Sequence, residues 1–178
     1  MDRAYNDNGA GLLLPEPLIV GGVFHGEVRR KDGSIEPFAD DNIVVNQGLN
    51  NLLGVMFNAA AQTVTWYLGL FEGNYTPVAS VTAATIASTS TETTAYTQAG
   101  RPAFSPAAPA SQAITNSANR ATFTFNASKQ IYGAFLISSA TKGGTGGVLF
   151  SATRFATPKT VDNEDEILLT YTFNAASA

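Results

Sequence analysis

The chain lacks cysteine altogether and has a single histidine, His25. Without cysteine there can be no disulfide, thiolate zinc site, iron–sulfur cluster or cysteine nucleophile. One histidine cannot build a histidine-based metal site, and no partners for a catalytic triad can be recognised around it. We therefore expect no catalytic or metal-binding role for His25. Because no disulfide can form, the stability of the fold must come from packing or from assembly.

Charge is also scarce. Charged residues make up 13% of the 178 residues, and the net charge is −4, whereas about a quarter of a typical soluble domain is charged. This acidic balance argues against nucleic-acid binding, which needs clustered lysine and arginine. The basic run Arg29–Lys31 is flanked by Glu27 and Asp32 and is typical of a solvated hairpin tip. Such a sparsely charged surface is typical of a protein covered by neighbours, so we predict a homo-oligomer.

Long hydrophobic runs are missing as well. No apolar stretch approaches the roughly 20 residues that a membrane-spanning helix needs. The first residues are polar and do not resemble a signal peptide, and the apolar stretch 12–20 is interrupted by Pro15 and Pro17. We expect no membrane partner, and a protein that is made in a cytoplasm and stays soluble or joins an assembly.

Strand-forming residues dominate what is present. Asp32-Gly33 between two alternating runs predicts a β-hairpin, and residues 42–45 and 63–71 predict further strands, the second one central. Four more strands are predicted at 120–125, 131–138, 148–155 and 166–173. The predicted fold class is mainly β: an antiparallel β-sandwich or barrel, jelly-roll-like, with one short helix and an extended N-terminal arm.

The one clear helical pattern lies at residues 47–58, after Asn46 as the predicted N-cap. A short helical turn capped by Thr82 is a weaker prediction. The apolar residues of the helix recur at spacings of three and four: Leu49, Leu52, Leu53, Met56 and Phe57. The predicted core consists of Leu52, Leu53, Trp66, Leu68, Leu70, Phe123, Phe125, Phe135, Leu149, Ile167 and Leu169.

The predicted sandwich domain, residues 23–178, contains a nearly uncharged excursion at 73–119. Its only charged residues are Glu92 and Arg101. By composition alone it would be a linker. Tyr96, Phe104 and Ile114, however, are spaced so that they can pin an extended loop onto a core. We predict an ordered excursion with a short strand between Arg101 and Phe104.

The predicted N-terminal arm, residues 1–22, has no helical or strand period. Pro15 and Pro17 favour extended backbone and remove two amide donors. An apolar, extended segment of this kind suits a groove on a neighbouring subunit; the alternative is that it covers its own domain as a strand. The predicted partner-binding residues are the large aliphatic ones: Leu12, Leu13, Leu14, Leu18, Ile19 and Val20.

Few residue clusters suggest chemistry. The acidic run 162–166 is either a charged turn that discourages edge-to-edge aggregation or a calcium site at Asp162, Glu164 and Asp165, although it lacks the spacing of a calcium-binding loop. The glycine-rich segment 142–147 is predicted to be a hairpin loop, since its lysine precedes the glycines, unlike in a phosphate-binding loop. Glu72 and Glu92 stand alone in neutral surroundings. We therefore expect no enzymatic activity, no cofactor and no required metal.

The segments 42–50 and 66–71, followed by 131–136, 147–150 and 167–172, together form a familiar pattern. In that order they resemble the openings and endings of virion proteins of tailed bacteriophages. The resemblance spans about residues 40–175 and carries no catalytic signature. It implies a structural role and a place in the virion after synthesis in the host cytoplasm.

Two kinds of virion protein remain open at this point. Small size, low charge and an N-terminal arm favour a capsid decoration (cement) protein that reinforces contacts between capsomers. A tail or fibre module that binds a host receptor or glycan would usually carry a coiled-coil or collagen-like shaft, which is missing. A glycan hydrolase is a weaker third alternative. The expected partners are the major capsid protein or another virion protein, and further copies of the chain, as a trimer by analogy with three-fold capsid sites.

Overall fold

The computed structural model describes residues 18–177. Leu12, Leu13 and Leu14 of the predicted arm therefore lie outside the described residues. Within residues 18–177 the chain forms ten strands and two helices: β1 Leu18–Arg29, β2 Ile35–Asp41, β3 Ile43–Val44, α1 Asn46–Phe57, β4 Trp66–Phe71, α2 Ala83–Thr89, β5 Ala103–Phe104, β6 Ala113–Thr115, β7 Ala121–Thr124, β8 Lys129–Ile137, β9 Leu149–Val161 and β10 Glu166–Ser177.

The strands form two five-stranded antiparallel sheets that pack face to face. The first sheet has the order β2-β1-β10-β6, with β7 also paired to β10, and the second has the order β3-β9-β8-β4-β5. Inward-facing side chains of both sheets share one core, and this arrangement is the predicted antiparallel β-sandwich. Its fully buried members include Phe24, Phe123, Ile167 and Tyr171 from the first sheet and Leu68, Leu70 and Phe155 from the second.

The start of the described chain corrects the predicted boundary of the arm. β1 pairs with β10 along its whole length, from Leu18 opposite Ser177 to Arg29 opposite Glu166. Residues 18–22, assigned to the arm by their lack of period, thus belong to the sandwich. The pattern was hidden by glycine: a side chain at Gly22 would overlap the carbonyl oxygen of Thr172, so close backbone approach replaces side-chain alternation here.

The last third of the chain forms the predicted strands, but β9 is longer than expected. The sequence predicts a strand that ends at residue 155, whereas β9 continues past Pro158 to Val161. The pairing with β8 slips within this stretch, because Ile131 lies opposite Lys159 while Gly133 lies opposite Arg154. Proline is tolerated in such an irregularity because no ladder hydrogen bond is needed from it.

The helices differ from the prediction in two respects. α1 covers nearly the predicted range, but its N-cap is Val45 and no side chain caps it, so Asn46 is already helical. α2 is a second helix where a single one was predicted in the fold class. A capping box formed by Thr82 and Thr85 begins it, which makes Thr82 the cap that the weaker prediction named.

Eight of the eleven predicted core residues are buried, and Leu52 and Trp66 are partly buried. Leu53 is the error, since 54% of its surface is exposed. The neutral excursion is ordered as predicted, and it carries α2, β5 and β6. Tyr96 and Phe104 anchor it in the core.

Candidate interaction surface

The first half of α1 is fixed tightly against the second sheet. Gly48 is buried there, and a Cβ atom at this position would overlap the carbonyl oxygen of Phe150. The side-chain Oε1 of Gln47 accepts hydrogen bonds from the amides of Ala83, at 2.8 Å, and Leu149, at 2.9 Å. Gln47 thereby joins α1, α2 and β9, and Leu49 packs against the core.

The second half of α1 instead presents apolar side chains to solvent. Leu53, Met56 and Phe57 are exposed to 54%, 64% and 80%. Their spacing of three and four residues places them on one side of the helix, and we call them the apolar helix face. Val64, in the loop that follows, is 96% exposed. Contiguous exposed apolar side chains of this kind mark interaction sites.

A groove lies beside the apolar helix face, between α1 and the end of the sandwich. Leu52 and Val55 of α1 line one wall, while Asn51, Gln62 and Thr63 add uncharged polar groups. The ring of Phe150 makes edge contacts with two neighbouring aromatic residues. The other lining residues are Trp66, Phe104, Ile114, Leu136, Phe150, Tyr171 and Phe173, and we call this the α1 groove.

Both features lie at the end of the sandwich where β1 begins. Phe173, in the groove, pairs with Gly22 on β1 and with Ile114 on β6. Burial of one large apolar side chain gains roughly 1.5–3 kcal/mol, so covering this end would stabilise an assembly. The geometry suits association with another polypeptide.

The described part of the predicted arm is paired within the first sheet. Ile19 is 57% exposed and Val20 is partly buried, and the backbone of both pairs with β10. Ile19 and Val20 are therefore held in the first sheet. This agrees with the alternative prediction that the segment covers its own domain as a strand. Leu18 begins the same strand.

The acidic turn before β10 is held by contacts within the protein. Asp165 accepts hydrogen bonds from the amides of Lys31 and Asp162, both at 2.9 Å, and pairs with Arg30 at 3.3 Å. Asp162 accepts from the hydroxyl of Ser128 at 2.6 Å. These contacts join the β9–β10 turn to the β1–β2 hairpin. Across residues 18–177, no three histidine, aspartate or glutamate side chains are grouped as metal ligands would be.

The surroundings of Asp165 also set its pKa. Burial would raise it, but the amides of Asp162 and Lys31 and the guanidinium of Arg30 outweigh that effect, so the pKa lies below its ordinary value. The carboxylate is thus ionised at neutral pH and acts as a structural acceptor.

Glu92 and Arg101, the only two charges of the neutral excursion, form a buried ion pair. Two hydrogen bonds of 2.7 and 2.6 Å join the guanidinium to the carboxylate, and both side chains are almost fully buried. Arg101 also donates to the carbonyls of Ser139 and Gly144, and the amide of Gly143 donates to Glu92. The pair thereby fastens the excursion to the glycine-rich loop, which connects β8 to β9 as predicted.

The remaining candidates have plain surroundings. Glu72 pairs with Lys129 at 3.0 Å. His25 is exposed on β1, between Ala39 and Thr170 of the neighbouring strands. Buried Tyr171 has its pKa raised to about 12 by desolvation, so its hydroxyl stays neutral and accepts a hydrogen bond from Asn42.

Sequence reasoning placed Leu53 inside and did not foresee the groove. The groove combines residues from α1, the loop after it, β4, β5, β6, β8, β9 and β10, which only the tertiary fold brings together. A scan against protein-family models found none that matches the chain, and a search of curated proteins found none similar to it. Among the helices of the described residues, none is long and apolar enough to cross a membrane.

Proposed function

We propose that the protein is a non-enzymatic structural component of a tailed-bacteriophage particle, a capsid decoration (cement) protein that stabilises contacts between capsomers. The observation that carries this proposal is the apolar helix face, Leu53, Met56 and Phe57, on a chain with few charged residues. Such a face is better covered than hydrated. The phage particle itself is inferred from the sequence pattern.

The surroundings of the candidate chemical groups favour a structural role. Asp165 and the pair Glu92–Arg101 hold turns and loops in place, and Glu72 is paired with Lys129. The buried ion pair ties a long loop segment to the sandwich core, which suits reinforcement of a shell. In this proposal the apolar helix face meets the major capsid protein.

Copy number on the particle tests the proposal. Purified virions would be separated on a denaturing gel, and the band of this chain quantified against that of the major capsid protein. A decoration protein is present in hundreds of copies per particle. A few to a few dozen copies would instead indicate a tail or fibre module, and absence from the virion would contradict a structural role.

A further inference from the structure

We propose that the α1 groove receives residues 12–14 of a second copy of this chain. The groove is apolar, and its polar lining, Asn51, Gln62 and Thr63, is uncharged. The segment Gly9–Pro15, which contains three consecutive leucines, carries no charge either. The groove and the segment therefore match in apolar character and in their lack of charge.

The local sequence suits an extended ligand. Proline at position 15 disfavours helical backbone at Leu14, and in extended backbone alternate side chains point to the same side. In the proposed complex, Leu12 and Leu14 would therefore enter the groove together, and Leu13 would point away from it. Their anchoring contacts are the apolar walls formed by Leu52 and Val55 of α1 and by the rings beyond them.

The direction of β1 decides which copy supplies the segment. Gly22 lies opposite Phe173 and Leu18 opposite Ser177, so the chain traced back toward its start runs away from Phe173, at the groove. Four residues separate Leu18 from Gly22, about 14 Å of strand. Leu14 is also four residues from Leu18 and reaches at most about 14 Å.

For Leu14 to return into the groove of its own molecule, the chain between Leu14 and Leu18 would have to be fully extended. The chain would have to reverse immediately before Leu18 and then run straight back for Leu14 to reach Phe173. No such reversal is needed to enter the groove of a neighbour. The occupant is accordingly a second copy, and the exchange of segments links copies of the chain.

Cross-linking in the cysteine-free background tests the assignment. Leu13→Cys is placed on an affinity-tagged chain and Gln62→Cys, at the rim of the groove, on an untagged chain of different mass. The two are co-expressed and treated with a short bis-maleimide. The control partner is Ile35→Cys, which is 58% exposed and lies at the opposite end of β1, next to Arg29.

We expect a mixed cross-linked dimer with Gln62→Cys and at least a tenfold lower yield with Ile35→Cys. Equal yields, or no mixed dimer, would overturn the assignment of the groove. A single chain that carries both Leu13→Cys and Gln62→Cys distinguishes exchange between molecules from insertion into the same molecule. A cross-link between the two cysteines in a band with the mass of one chain would overturn exchange between molecules.

A second measurement does not depend on the cross-linker. Light scattering at micromolar concentration compares the pair Leu12→Ser and Leu14→Ser with Leu13→Ser alone. All three positions precede the described sandwich. The double variant is expected to have the mass of one chain, while the single variant keeps the mass of the oligomer. Loss of the oligomer in both, or in neither, would contradict the alternation on which the assignment rests.

Discussion

In the described part of the chain, few charged side chains are buried, and each of them joins two segments of the fold. Arg101 uses its whole guanidinium, with Glu92, Ser139 and Gly144 as acceptors, and it lies 5.4 Å from the ring centre of Phe135. This arrangement explains how a segment with the composition of a linker stays ordered. The ion pair and the buried aromatic residues Tyr96 and Phe104 are joined by buried Val81 and Ile86 and by Asn116, which hydrogen-bonds to the backbone of β10.

Removing one member of the pair should therefore destabilise the whole domain. Glu92→Gln leaves Arg101 charged and buried without its anion, and such losses amount to about 3–5 kcal/mol. The double variant Glu92→Gln/Arg101→Met should recover part of that loss, because no unpaired charge remains. Urea unfolding monitored by circular dichroism measures both. A loss below about 1 kcal/mol for Glu92→Gln would contradict the structural role of the pair.

Asp165 predicts how stability depends on pH. Its pKa is lowered in the folded protein, so the stabilisation it provides is complete above the unfolded value of about 3.9 and is lost as pH falls through the lowered folded value. Asp165→Asn removes this contribution. We expect the variant to be less stable than the wild type at pH 7 and the difference to shrink on acidification toward pH 2. A difference in unfolding free energy that stays constant over this range would contradict the prediction.

At the scale of elements, α1 owes its position to one glycine. Gly48 is buried against β9, where a Cβ atom would overlap Phe150, whereas the nearest atom to a Cβ at Gly54 is the Cβ of Ala60, 3.4 Å away. The two glycines of one helix thus form a matched pair. Intrinsic propensity favours alanine over glycine at both positions by about 1 kcal/mol.

The two alanine substitutions should have opposite effects. Gly48→Ala must push α1 away from β9 and should cost about 1–3 kcal/mol, as overpacking does. Gly54→Ala has room and should gain up to about 1 kcal/mol from helix propensity. Thermal and urea unfolding of both variants measure the difference. Equal effects of the two substitutions would show that close packing at Gly48 does not position the helix.

Local pattern was sufficient for most strands but not for the surface of α1. The Asp32-Gly33 hairpin and the strands of the last third were predictable because alternation and turn residues are local signals; Gly33 adopts the expected positive φ of 88°. The apolar stripe of α1 was equally visible. Periodicity does not reveal how much partner surface faces a helix, so Leu53 was assigned to the core although the sandwich covers only the first half of α1.

The errors in the strands have a similar origin. Residues 18–22 pair through backbone in a stretch where Gly21 and Gly22 supply no side-chain period. β9 passes Pro158 because its register slips there, and a slip depends on the partner strand. The groove could not be predicted for the same reason, since Trp66, Phe104 and Phe173 become neighbours only when the sheets pack.

At the scale of the whole molecule, the three exposed apolar side chains of α1 and the groove lie at one end of the sandwich. The helix face and the groove flank α1, and β1 begins at the same end. Elsewhere the described surface includes ion pairs such as Lys159 with Glu36 at 2.8 Å. In the two proposals above, this end attaches the protein to the particle, and the exchanged segments link its copies.

Binding of the purified chain to phage particles that lack it tests most directly whether the apolar helix face attaches the protein to a shell. The decisive variant carries Leu53→Ser, Met56→Ser and Phe57→Ser, and the matched control carries serine at Ile35 and Val78, which are exposed to 58% and 51%. We predict that the wild type and the control saturate the particles in hundreds of copies, while the triple variant, folded by circular dichroism, binds at least tenfold less. Equal occupancy by the triple variant, or no binding by the wild type, would contradict the proposed attachment.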